Sequence, residues 1–133
     1  PQSPGRMISF EEAIQIHELL IVKFGGSAGL RDPEALKSAL ARPYQTFEER
    51  DLYPTPEEKA AAVLESIICN HPFLDGNKRL GFVLMKLILL EAGLSISSVH
   101  DEVYKFIIKV ATGEHDINSI TNWIKFHVVQ NEP

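Results

Sequence analysis

The chain has 133 residues, enough to bury the core of one domain and too few for two. Its formal net charge of −5 excludes a general electrostatic nucleic-acid binder, which would be basic, but leaves room for a local cationic pocket. The hydrophobic fraction of 44% is ordinary for a globular protein, and the longest apolar run, Leu80 to Leu90, falls well short of a membrane span.

Residues 1–6 read as the remnant of an expression tag ahead of a native start at Met7, so residues 7–133 are expected to form one domain. The single cysteine, Cys69, has no partner for an internal disulfide, which fits a reducing compartment. No stretch has the make-up of a secretory leader, and a cytoplasmic location is expected.

The spacing is helical almost throughout. Ser9 and Glu12 form a capping box, followed by an apolar face of Ala13, Ile14, Ile16, Leu19, Leu20 and Phe24, and Gly25-Gly26 end this first helix. Asp32-Pro33 starts a second, which carries Leu36, Ala39 and Leu40 and stops before Pro43. Pro43 to Pro54 reads as a long irregular loop, a type that is often functional in compact domains. Thr55-Pro56-Glu57-Glu58 opens a third helix, which runs through Val63, Leu64, Ile67 and Ile68 to Asn70. A fourth spans Asn77 to Ala92, apolar nearly all round as a central helix should be, with Gly93 beyond its end. A fifth covers Val99 to Ala111. A sixth follows Asp116 and carries Ile120, Trp123, Ile124, Phe126 and Val128. The expected fold class is all-α, about six helices packed around a central hydrophobic helix.

The most informative stretch is His71-Pro-Phe-Leu-Asp-Gly-Asn-Lys-Arg79. The start of the fourth helix leaves unpaired N–H groups and a partial positive charge. Acidic residues suit that first turn, yet Lys78 and Arg79 occupy it, a mismatch that a bound polyanion would resolve. Gly76 lets the backbone approach a phosphate closely. Asn77 is expected to cap the helix or to donate to a phosphate oxygen. Asp75 is a hard oxygen ligand of the kind Mg²⁺ uses together with substrate phosphates. His71, with an ordinary pKa near 6.5, suits a general base. Phe73 is the expected anchor of the motif to the core. Singly, each residue has an ordinary structural explanation. The set is more specific.

As a set, these residues resemble the Fic/Doc signature, H-P-F-x-[D/E]-G-N-[G/K]-R, at every specified position. Gly25-Gly26, Gly29-Leu30-Arg31-Asp32, Ala39 to Pro43, Tyr53-Pro54 and Lys59-Ala60-Ala61 look like its death-on-curing (Doc) branch. The likeness covers most of Met7 to Trp123 and implies the compact all-α Fic fold. It implies a transferase that uses ATP and Mg²⁺. His71, Lys78 and Arg79 would be catalytic. Gly76, Asn77, Lys78 and Arg79 would bind the nucleotide, and Asp75 the metal. The Doc branch is similar to a kinase that moves the γ-phosphoryl of ATP to elongation factor Tu. The wider family transfers AMP to protein hydroxyls. Lys78 stands where most adenylylating members have Gly, and Phe82 where they carry a second Arg. Both departures favour the kinase. Pro72 and Gly76 follow the general Fic pattern. Pro43 to Pro54 matches the family's target-binding flap in position. The alternatives are a protein adenylyltransferase and, in a different class, a non-catalytic binding module.

Ser98 to Glu102 is the nearest match to a self-inhibiting [S/T]-x-x-x-E-[G/N] helix, but Val103 follows the glutamate. Inhibition in trans by a small antitoxin is therefore expected. Cys69 and Trp123 are expected in the core, Glu48 to Asp51 in a solvated loop, and Glu102 on a solvent face. His17, His100, His115 and His127 have no zinc-site spacing.

Overall fold

The computed structural model describes residues 7–131; Pro1–Arg6, the expected tag remnant, lie outside the described residues, as do Glu132 and Pro133. Helices begin where the capping residues stand. Helix α1 (Phe10–Phe24) has the full box, with the Ser9 hydroxyl accepting from the Glu12 amide at 3.1 Å and Glu12 Oε1 accepting from the Ser9 amide at 3.0 Å. Asp32 caps α2 (Pro33–Ala41), and Thr55 caps α3 (Pro56–Asn70). Helix α4 covers Asn77–Glu91, α5 His100–Ala111 and α6 Ile117–His127, the last capped by Asp116.

Two small antiparallel ladders supplement the helices. Beyond a 3-10 turn at Arg42–Tyr44, the expected irregular loop folds back as a hairpin. Strands β1 (Thr46–Phe47) and β2 (Arg50–Asp51) flank a two-residue turn, Glu48-Glu49. Strand β3 (Leu94–Ile96) pairs with β4 (Val128–Gln130), so Val128 leaves the sixth helix rather than extending it. Its neighbour Val129 is also β-branched, and such side chains favour a pleated surface.

The core is one cluster built from all six helices, with Leu36, Leu64, Ile67, Leu80, Leu84, Leu89, Ile120 and Ile124 deeply buried in it. Helix α3 is the most enclosed, burying Ala60 to Leu64 on successive positions. Helix α4 packs along it. A Cβ at Gly81 would lie 3.2 Å from Ile68 Cγ1 and 3.3 Å from Leu64 Cδ1, so glycine permits that close approach. The all-round burial expected of α4 is partial, since Lys86 is exposed and Leu90 is 56% exposed.

Several expected core residues face outward. In α1, Ala13 and His17 are buried while Leu19 is exposed. Two residues on from His17 is about 200° round a helix, the far side from the core. Phe126 is exposed for the same reason, two residues beyond buried Ile124. Phe24 is half exposed. Cys69 is exposed too, on the last turn of α3 where the helix leaves the core. Trp123 is only partly buried, stacked between Phe106 and His127 at 3.9 Å from each ring centroid. Glu102 is exposed as expected, and Ser98 lies just before α5.

Candidate active site

The motif forms the joint between α3 and α4. His71 follows the last residue of α3 in a left-handed conformation, φ 50° and ψ 60°, with its amide bonded to the Ile67 carbonyl. That turn exposes the imidazole at the end of the helix. Its Nδ1 lies 3.2 Å from the Cys69 carbonyl. A carbonyl can only accept, so Nδ1 carries the proton in the neutral ring and Nε2 keeps its lone pair. This is the tautomer that a general base needs.

A neighbouring segment grips the same turn. Arg31 donates from Nε to the His71 carbonyl and from a terminal nitrogen to the Asn70 carbonyl, both at 2.7 Å. A guanidinium here also suits the negative end of α3. The amides of Arg31 and Asp32 both reach the Pro72 carbonyl, at 2.7 and 2.9 Å, and Leu30 makes a single antiparallel bridge with Phe73.

Phe73, the expected anchor, is 3% exposed. Asn77 clasps its backbone from both sides, with Oδ1 accepting from the Phe73 amide at 3.1 Å and Nδ2 donating to its carbonyl at 2.9 Å. The expected Asn77 cap is absent. Gly76 is the capping residue, left-handed at φ 78°, and no side chain bonds to the α4 amides. A Cβ on Gly76 would meet His17 Nε2 and Ile21 Cδ1, each at 3.3 Å.

Asp75 faces solvent beside this start. Its Oδ2 accepts from the Ser27 amide at 3.1 Å and its Oδ1 from the Gly76 amide at 2.8 Å. These bonds, Ser27 first and then Gly76, hold its pKa below the ordinary carboxylate value, with the charges of Arg79 and His17 adding to the effect. A Cβ on Gly26 would fall 2.7 Å from Asp75 Oδ2, so the first glycine pair also makes room for the carboxylate. Lys78 and Arg79 are both exposed on the first turn of α4, with the Arg79 guanidinium 4.4 Å from the Phe24 ring centroid. The first turn of α4 contains no acidic residue, whereas those of α1, α2, α3 and α5 do.

The structure thus gathers Asp75, Gly76, Lys78 and Arg79 at one helix start, with His71 across a short loop. His17, Arg31 and Ser27 support them and were not picked out by sequence reasoning. His17 carried a usable signal: a polar residue in the buried phase of an apolar helix face needs a partner. Ser27 acts through its backbone amide, which leaves no trace in residue type. Among the described residues, no group of three or more His, Cys, Asp or Glu forms a metal cluster. A single ionised carboxylate does fit Mg²⁺ that takes its other ligands from phosphate and water.

An exposed imidazole at the end of one helix thus lies across a short loop from the cationic start of the next, where no side chain caps the helix. Residues 7–89 match the Fic/DOC family, and the chain belongs to it. It is similar to the Toxin Doc of Mycolicibacterium smegmatis, 36% identical over 101 residues that cover 74% of this chain and 78% of that protein. It is also similar to the Protein kinase doc of Escherichia phage P1, 29% identical over 123 residues, covering 90% and 94% of the two chains.

Proposed function

We propose that this protein is a Doc-like toxin that transfers the γ-phosphoryl of ATP to a hydroxyl of a target protein, elongation factor Tu, and so arrests translation. The observation that carries the reading is His71, whose Nδ1 contact with Cys69 leaves Nε2 as base beside the cationic start of α4. The relative from phage P1, whose name is that of a protein kinase, supports it. So do Lys78, in place of the glycine usual in adenylylating relatives, and the partly buried ring of Phe82, in place of their second arginine.

In this reading His71 Nε2 takes the proton of the target hydroxyl as its oxygen bonds to the γ-phosphorus. The bond from that phosphorus to the bridging oxygen breaks, and ADP leaves. The backbone amides of Asn77, Lys78 and Arg79, with the two cationic side chains, bind and neutralise the phosphates. Asp75 would hold Mg²⁺, which when bound lowers the charge repulsion among phosphate oxygens. Asn77 fixes the loop through its clasp on Phe73, and its second Nδ2 proton would donate to a phosphate oxygen. The exposed β1–β2 hairpin would receive an extended segment of the target.

Control by a separate small antitoxin fits the same reading. Glu102 is engaged by the Ser98 hydroxyl at 2.8 Å and by His127 Nε2 at 3.6 Å. No helix of the described residues is long and apolar enough to cross a membrane. The test is transfer to elongation factor Tu from Mg²⁺-ATP labelled at the α or the γ position. Protein-bound γ label is expected. Protein-bound α label would replace the kinase with an adenylyltransferase. The absence of either label would leave a binding module. The His71→Ala protein should fold and transfer nothing; label at the wild-type rate would remove the base assignment.

A further inference from the structure

We propose that Arg42 is a positioning residue for the protein substrate: it ties the β1–β2 flap to α3, so that the helix delivering His71 also sets where the flap stands. This inference rests on the group-transfer reading above. Arg42 stands where the chain enters the flap, and Tyr53 where it leaves. Arg42 Nε donates to the Tyr53 hydroxyl at 3.0 Å, while one terminal nitrogen donates to Glu65 Oε1 at 2.8 Å and the Ser66 hydroxyl at 2.9 Å. Both ends of the flap therefore converge on one guanidinium, and that guanidinium is bound to α3.

Lysine 59, also on α3, makes a second tie. Lys59 donates to the Tyr53 carbonyl and pairs with Asp51 Oδ2 at 3.4 Å. Within the flap, the Leu52 amide closes the hairpin on the Gln45 carbonyl at 3.0 Å. Past Pro43 the flap sends no residue into the core, and Phe47 and Leu52 are both exposed. Its position thus depends on polar ties rather than on packing. The Arg42 tie is sheltered, the Arg42 and Glu65 side chains being 25% and 22% exposed, which makes the pair stronger than an open surface bridge.

The geometry couples this tie to the chemistry. Glu65 and Ser66 lie on the helix whose last residue, Asn70, directly precedes His71, and Glu65 is about 8 Å before that end along the axis at the usual helical rise. A target strand laid on the flap is held at a distance from the base that α3 fixes. Loosening Arg42 would let the flap wander while leaving the α4 start and its phosphates untouched. A purely structural Arg42 would instead lower stability without discriminating between the two substrates.

Tyr53→Phe removes one hydrogen bond and keeps the ring, so it serves as the mild variant beside Arg42→Lys. Amide exchange across residues 46–52 should accelerate in both, by about tenfold in Tyr53→Phe. With γ-labelled ATP, the KM for elongation factor Tu should rise about tenfold, while the KM for ATP and kcat at saturation stay unchanged. Unchanged flap exchange in Tyr53→Phe overturns the tie. Faster exchange with an unchanged protein KM, or an equal rise in the ATP KM, overturns its substrate role. A wild-type protein that transfers nothing overturns the kinase reading instead, and the exchange comparison then decides the tie alone.

Discussion

His17 of α1 lies face to face with Phe73 of the motif, ring centroids 3.7 Å apart and planes within 13°. The same imidazole donates from Nε2 to the Asp75 carbonyl at 2.7 Å. One buried side chain thus supports the motif's apolar anchor and the backbone of its metal-type carboxylate. His17→Phe keeps the stack and leaves that carbonyl without its donor, at a cost of about 1–3 kcal/mol. His17→Ala adds a cavity and should cost about 3–5 kcal/mol. Urea unfolding of the two variants measures this. A His17→Phe protein as stable as wild type would mean that the hydrogen bond contributes nothing, and equal losses in the two variants that the ring stack contributes nothing.

His71, the proposed base, has an unfavourable backbone conformation. A left-handed non-glycine residue costs about 1–2 kcal/mol, and helices commonly end on glycine at this position. His71→Gly should therefore raise the unfolding free energy by roughly 1 kcal/mol, after the entropy glycine loses on folding, while abolishing transfer. A His71→Gly protein less stable than wild type in denaturant titration would show that the imidazole's bond to Cys69 outweighs the strain.

Much of this arrangement was legible in the sequence, because caps and periodicity are local. Ser9, Asp32, Thr55 and Asp116 all cap the helices that they announce. The motif from His71 to Arg79 stood out for its concentration of chemistry. What could not be read depends on contacts distant along the chain. Nothing about His17 names Phe73 or Asp75 as its partners, and nothing about Arg31 says that it will grip the end of α3. Asn77 looked like a cap because it begins a helix, yet its amide turns back to Phe73. The hairpin was hidden because its two-residue turn is Glu48-Glu49, which lacks the glycine or asparagine that marks such turns. Cys69 was misplaced because residue type outweighed its place on the final turn of α3.

Asp75 gives the site a defined acid limit. Its folded pKa is lowered, first by the Ser27 amide bond and next by that of Gly76. A carboxyl with a depressed folded pKa contributes stability that is fully present above its unfolded value, about 3.9. That contribution is lost as the pH falls through the lower folded value. The Ser27 bond to Asp75 should thus be intact at neutral pH and weaken only in acid. The Ser27 amide shift, followed by NMR, should titrate with a midpoint below that of an ordinary aspartate, and Asp75→Asn should abolish the step. A midpoint at or above the ordinary value would contradict the role given to the two amides.

The flap turn offers the most direct test of local strain. Phe47 pairs with Arg50, so Glu48 and Glu49 alone make the turn, with φ values of 51° and 65°. Two left-handed glutamates in succession are strained, and their like charges are adjacent. The twist of a two-residue hairpin favours Asn-Gly at these positions. Replacing Glu48 with Asn and Glu49 with Gly should stabilise the hairpin by about 1 kcal/mol. The gain should appear as slower amide exchange in the hairpin, with little change in the global unfolding midpoint, since no flap residue between these strands is buried. If the two glutamates also touch the target, the same variant will bind it more weakly despite its firmer flap, which would separate a conformational role from a contact role.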